Sequence, residues 1–165
     1  MTRNILRYAL AAAILTAGPA GVVSAKLDMK AVLADAGRPE ADKVRDENRK
    51  PAELVAFSGV KEGSKVAELG PGGGYFTRIL TGAVGPKGHV YAMVGRPSPA
   101  LEEYAASRKT LSIVAIQPGE VKVPEPVDVV WTTLNYHDWK NNKVGDSDVA
   151  VLTAAYWASH FASDP

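Results

Sequence analysis

The stretch Val66-Ala67-Glu68-Leu69-Gly70-Pro71-Gly72-Gly73-Gly74-Tyr75-Phe76-Thr77-Arg78-Ile79-Leu80 constrains this chain more than any other. An apolar run, an acid, a burst of glycine and then Phe76, Ile79, Leu80 and Ala83 at helical spacing read as a buried strand, a tight loop and an amphipathic helix. Glycine serves where the backbone must take positive φ or let a ligand come close. A loop that runs straight into a helix offers unpaired N–H groups and the positive end of the helix dipole to whatever lies above it. Two phosphate-binding motifs fail on spacing. The P-loop needs Lys and then Ser or Thr after its last glycine, and Gly74 is followed by Tyr75 and Phe76. The dinucleotide fingerprint Gly-x-Gly-x-x-Gly/Ala, counted from Gly70 or Gly72, ends on Tyr75 or Thr77. What remains is Glu68 two residues before Gly70-x-Gly72-x-Gly74, a pattern that a purely structural strand-to-helix turn also explains.

The first residues read as an address. Arg3 and Arg7 precede an apolar, small-residue run over 8–23, and Val23-Ser24-Ala25 offers a cleavage site before Lys26, so residues 1–25 are expected to be a signal peptide. Gly18-Pro19 breaks the run, which is short for a bilayer span, so no stable membrane anchor is expected after cleavage. The arginines are not adjacent, which favours general secretion, and the mature chain is expected to be exported, into a periplasm. Losing Arg3 and Arg7 moves the formal charge from +1 to −1, and nothing basic remains to suggest nucleic acid as a partner. Without cysteine there is no disulfide framework, and His89, His137 and His160 lack metal-ligand spacing, so no metal is predicted.

Residues 26–60 read as an N-terminal helical segment. Met29, Val32 and Leu33 mark a short helix, and the run Arg45-Asp46-Glu47-Asn48-Arg49-Lys50 is expected to be solvated. Pro51 then starts a helix whose apolar face is Leu54, Phe57 and Val60 and which Gly59 ends. Residues 61–165 form the remaining domain: strands are predicted over 66–69, 89–94, 111–116 and 127–134, with helical stretches over 75–83, 99–109 and 146–162. Such alternation predicts a parallel α/β sheet. After the fourth strand comes Asn135-Tyr136-His137-Asp138-Trp139, at the strand end where open α/β sheets bind ligands.

Arg45-Asp46-x-x-Arg49-Lys50-Pro51, a short helix, Gly59-Val60-Lys61-x-Gly63 and Val66 to Tyr75 together resemble a family of exported, class I S-adenosylmethionine-dependent methyltransferases. The resemblance implies a Rossmann-like class I methyltransferase fold, here an incomplete parallel sheet of about four strands with flanking helices. It implies S-adenosylmethionine as cofactor, held by Glu68, Gly70, Gly72, Gly73, Gly74, Tyr75 and Asn135. On the methyl-transfer side it implies His137 as general base, Asp138 orienting it, and the ring of Tyr136 beside the sulfonium. The acceptor is unassigned, a small molecule being favoured.

The sequence also departs from the family. The position of the acid that binds the ribose hydroxyls falls at Val94; Arg96 donates only, and Glu102 and Glu103 read most simply as solvated helix residues. Gly119-Glu120 is the nearest match to the adenine turn, and the prolines of an Asn/Asp-Pro-Pro-Tyr pattern are missing after strand four. The resemblance spans about the cofactor-binding half of the family's domain, so the chain is expected to be C-terminally truncated. Strand four would then be an exposed edge open to self-association. The alternative is a non-catalytic, methyltransferase-like binding module or relic.

Overall fold

The computed structural model describes residues 27–116 and 122–134. Four strands, β1 (Lys65–Leu69), β2 (His89–Val94), β3 (Leu111–Ala115) and β4 (Val129–Thr132), form one all-parallel sheet in the order β3-β2-β1-β4. Helix α5 (Tyr75–Val84) carries the chain from β1 to β2, and α6 (Pro99–Ala106), capped by Ser98, carries it from β2 to β3. The expected parallel sheet with flanking helices is therefore present. β4 is shorter than the predicted 127–134, because Asp128 is engaged at the start of β1: its N–H donates to the Lys65 carbonyl at 2.9 Å and its carboxylate accepts from the Lys65 N–H at 2.8 Å.

Period-two alternation divides the sheet's side chains between two faces. Val66, Val90, Ala92, Leu111 and Trp131 pack with Phe76, Ile79 and Leu80 of α5, with Leu101 of α6 and with Val55. Ala67, Tyr91 and Met93 pack on the other face with Val123 and Val127. Glu68 sits among the first set, opposite Ala92 on one side and Trp131 on the other. The chain leaves β1 in one direction toward β2 and β3 and comes back to place β4 on β1's other side. That reversal opens a crevice at the carboxyl ends of β1 and β4, where ligands enter open α/β sheets.

Ahead of the sheet, α1 (Met29–Leu33) is capped by Asp28 and lies on α5. A Cβ on Gly82 would stand 2.9 Å from Val32 Cγ1, so the two helices meet at a glycine. Two single turns, α2 (Glu40–Lys43) and α3 (Asp46–Arg49), lead through Lys50, at φ 48°, into α4 (Pro51–Ser58), which Gly59 ends at φ 75°. In the run Arg45–Lys50 the residues Arg45, Glu47, Asn48 and Lys50 are exposed, as expected, while Asp46 and Arg49 are half-buried and join a network with charged residues outside the run. Of those, Arg38 and Asp42 are buried. Charges tolerate this because they pair: Arg38 makes two bonds to Asp46, at 2.8 and 2.6 Å, and a third to the Leu33 carbonyl at 2.8 Å. Along the β4 edge Phe57 is 91 % exposed and Val130 37 %.

Candidate functional site

The loop between β1 and α5 takes left-handed backbone at alternate residues, Gly70 (φ 68°), Gly72 (φ 56°) and Gly74 (φ 83°). Its start is tied to β2 by the Gly70 N–H on the Met93 carbonyl (3.0 Å), and it closes with the Gly74 N–H on the Pro71 carbonyl (2.9 Å). From below it is held by Arg78, whose buried guanidinium donates to the carbonyls of Gly73 (2.8 Å) and Gly74 (2.9 Å). Arg78 in turn lies 3.7 Å from the carboxylate of Asp42 and 4.9 Å from the Tyr104 ring centroid. Ser98 reaches the Gly72 carbonyl at 3.4 Å. With its carbonyls engaged in this way, the loop leaves the N–H groups of Gly72 and Gly73 without an acceptor among the described residues.

Above the loop lies a cavity of about 250 Å³. Glu68 and Gly70 to Gly73 form its floor, Tyr75 and Phe76 one side, Thr133 and Leu134 the β4 side, and Arg45 and Arg49 its outer wall. Leu134 adopts φ 64°, uncommon for a branched residue, as the chain leaves β4 over the cavity. Among the described residues no group of histidines, cysteines and acids is arranged to hold a metal ion.

Glu68 is 3 % exposed, and one oxygen accepts the Thr77 hydroxyl at 2.6 Å. Burial pushes its carboxyl up to about 7, against the smaller opposing effect of the Thr77 bond. Tyr75 donates its hydroxyl to Asp46 at 2.6 Å, while Arg49, Arg45 and Arg38 lie 4.4, 5.1 and 5.6 Å from its ring centroid. The Arg38 bonds hold the Asp46 carboxyl below its ordinary value, and burial raises the Tyr75 phenol. Arg45 pairs with Asp42. Arg49 has no carboxylate partner among the described residues.

Of the residues expected from the sequence, Glu68, Gly70, Gly72, Gly73 and Tyr75 line one cavity. Gly74 stands behind it: a Cβ there would meet Arg78 Nη1 at 2.9 Å and Leu101 Cδ1 at 3.2 Å, so it serves the turn. Asn135, Tyr136, His137 and Asp138, and Gly119-Glu120, lie outside the described residues. Thr133 and Leu134 immediately precede Asn135 and do reach the cavity. Glu102 and Glu103 are exposed on α6 and do not line it, and neither does Val94. Sequence reasoning assigned no site role to Arg45, Arg49 or Arg78. The signal for the first two was their spacing of four, which puts both on one side of a helical turn; for Arg78 it was the same spacing from Gly74.

Solved structures share this architecture. An S-adenosylmethionine-dependent methyltransferase from Aquifex aeolicus superposes with a TM-score of 0.55 at 23 % identity, over 79 % of this chain and 66 % of that one. A cyclopropane-fatty-acyl-phospholipid synthase-like protein from Lactobacillus casei does so with a TM-score of 0.53 at 20 % identity, over 79 % of this chain and 53 % of that one. The fold is the Rossmann-like fold of these structures. The chain spans just under two thirds of the first and about half of the second. No protein-family profile and no curated protein sequence matches the chain.

Proposed function

We propose that this chain binds S-adenosylmethionine in the cavity over Gly72 and Gly73 and is an exported, periplasmic methyltransferase acting on a small-molecule acceptor. The observation that carries the reading is the loop itself. Its carbonyls are bound from below, two of its amides have no protein acceptor among the described residues, and a Cβ built on Gly72 or Gly73 meets nothing within 4 Å. A turn that served packing alone would have no reason to keep that space clear.

The cofactor suits the lining. Its amino-acid end carries both charges, and the cavity has an acid, Glu68, in its floor and guanidinium groups in its wall; Phe76, edged by Trp131 at 5.2 Å, gives an apolar surface. When bound, the cofactor supplies a methyl group activated by its sulfonium. The protein's part in such a displacement is alignment, exclusion of water and, for some acceptors, removal of a proton. Glu68 and the loop amides would orient the cofactor, and Thr133 and Leu134 would close the cavity on the β4 side. In this reading His137 is the general base, Asp138 its partner, Tyr136 a ring beside the sulfonium and Asn135 a cofactor contact. The β4 side of the sheet, where Phe57 and Val130 are exposed, is the surface through which copies would self-associate.

Gly73→Leu tests the reading. Gly73 has no positive φ and no crowding, so the variant is expected to fold normally. Calorimetric titration with S-adenosylmethionine should show binding to the full chain and at least about a tenfold loss in the variant, the scale of displacing one or two charge-assisted contacts. A folded chain that binds no cofactor refutes it. A second reading, a binding module without turnover, is favoured by Val94, which leaves β2 ending without a carboxylate for the ribose; transfer of a labelled methyl group to any acceptor excludes it.

A further inference from the structure

The cation in the cavity wall that lacks an acid among the described residues is the feature the proposed function leaves unused. Each of the other arginines near the loop has a carboxylate: Arg38 has Asp46 at 2.6 Å, Arg78 has Asp42 at 3.7 Å, and Arg45 also has Asp42. Arg49 has none among the described residues, yet it is half-buried and lines the cavity. It is not left to wander. Its guanidinium stacks 4.4 Å from the centre of the Tyr75 ring, and that ring is fixed by its hydroxyl on Asp46, which Arg38 grips in turn. A guanidinium held in place without an acid is prepared to receive one from a ligand, because little freedom is lost on binding.

Resting on the cofactor reading above, we propose that Arg49 is the residue that binds the ligand's α-carboxylate, and that this contact makes the cavity selective for ligands carrying a free amino-acid end. The neighbouring groups fit that end. Amides of Gly72 and Gly73 have no protein acceptor among the described residues, which suits a carboxylate. In the floor Glu68 has one oxygen on Thr77 and the other without a donor among the described residues, which suits an ammonium. Guanidinium, two amides and a carboxyl around one cavity are complementary to a zwitterion and not to a simple anion, which Glu68 would repel once ionised. Arg45, already paired with Asp42, contributes field rather than a contact.

The test uses two forms of one ligand. The full chain and its Arg49→Met variant are titrated with S-adenosylmethionine and with the decarboxylated form of the same molecule. The chain should prefer the carboxylated ligand by about 10- to 100-fold, the range for a hydrogen-bonded charge pair. Arg49→Met should lower affinity for that ligand by about tenfold and leave the decarboxylated one unchanged, so that the preference shrinks to what the loop amides supply. Arg49→Lys, which keeps the charge without the planar fork, should recover part of the loss and guards against misfolding of the first variant. Equal losses for both ligands, or no loss for either, overturn the carboxylate role while leaving the cofactor reading intact. If the unaltered chain binds neither ligand, the cofactor reading falls and this inference with it.

Discussion

Replacing Glu68 by Gln should change how stability depends on pH, in a direction fixed by its burial. In the folded chain the carboxyl is pushed up to about 7 from 4.5, chiefly because it is removed from water. Between those values an unfolded chain has released this proton and the folded chain still holds it. The unfolded state then binds fewer protons, so stability falls as pH rises from about 4.5 through 7 and levels off above. With about 1.4 kcal/mol for each pH unit between the two values, the full loss is about 3.5 kcal/mol. Glu68→Gln keeps an acceptor for Thr77 but has no proton to lose, so this pH dependence should vanish. The check is urea denaturation of both proteins at pH 5 and pH 8. Relative to the unaltered chain the variant should gain about 2.5 kcal/mol between the two pH values, a change in midpoint difference of about 1–2 M urea. Groups elsewhere cancel in that difference. If the two proteins keep the same spacing at both pH values, Glu68 is ionised in the fold and water reaches its carboxylate.

Two further perturbations address the frame rather than the floor. Asp46→Ala leaves Arg38, whose side chain is 1 % exposed, without its carboxylate and should cost about 3–5 kcal/mol in urea denaturation at pH 7. Because pairing lowers the Asp46 carboxyl, its contribution is present above the ordinary value of 3.8 and lost as pH falls through the lower folded value, so the gap to the unaltered chain should narrow in acid. Gly88→Ala should destabilise by about 1–3 kcal/mol without altering ligand affinity, read as a lower melting temperature with unchanged calorimetric binding. Its Cβ would stand 2.5 Å from both the Ser64 carbonyl oxygen and Val84 Cβ, at the end of β2 remote from the cavity.

Strands and the glycine loop were legible because their signals are local. The apolar run Val90-Tyr91-Ala92-Met93 and the glycines at every second position of the loop report on backbone geometry that neighbours in sequence decide. The division of labour within the loop was not legible. Gly72 faces open space and Gly74 is pressed against Arg78 and Leu101, although both have left-handed backbone. Only the packed helices α5 and α6 separate the two roles. The half-burial of Asp46 and Arg49 within an otherwise exposed charged run was not legible for a similar reason. Composition gives the number of charges, but whether they are hydrated or paired depends on partners such as Asp42 and Arg78, which are distant in sequence and 3.7 Å apart in space.

That pairing changes what the segment before the sheet is. Asp42 steadies Arg78, which holds the loop carbonyls; Asp46 fixes Tyr75, whose ring carries Arg49 at the cavity wall. Both acids lie in short single-turn helices that could not persist alone in water. Their order therefore comes from the loop and from α5, and the loop's order comes in part from them. A ligand that pairs with Arg49 would tighten this reciprocal arrangement from the outside, adding binding energy to elements that otherwise rest on buried ion pairs. The expected sign is that occupation of the cavity stabilises residues 38–50 together with the loop, so slowed amide exchange across that segment should accompany cofactor binding and be weaker in the Arg49→Met variant.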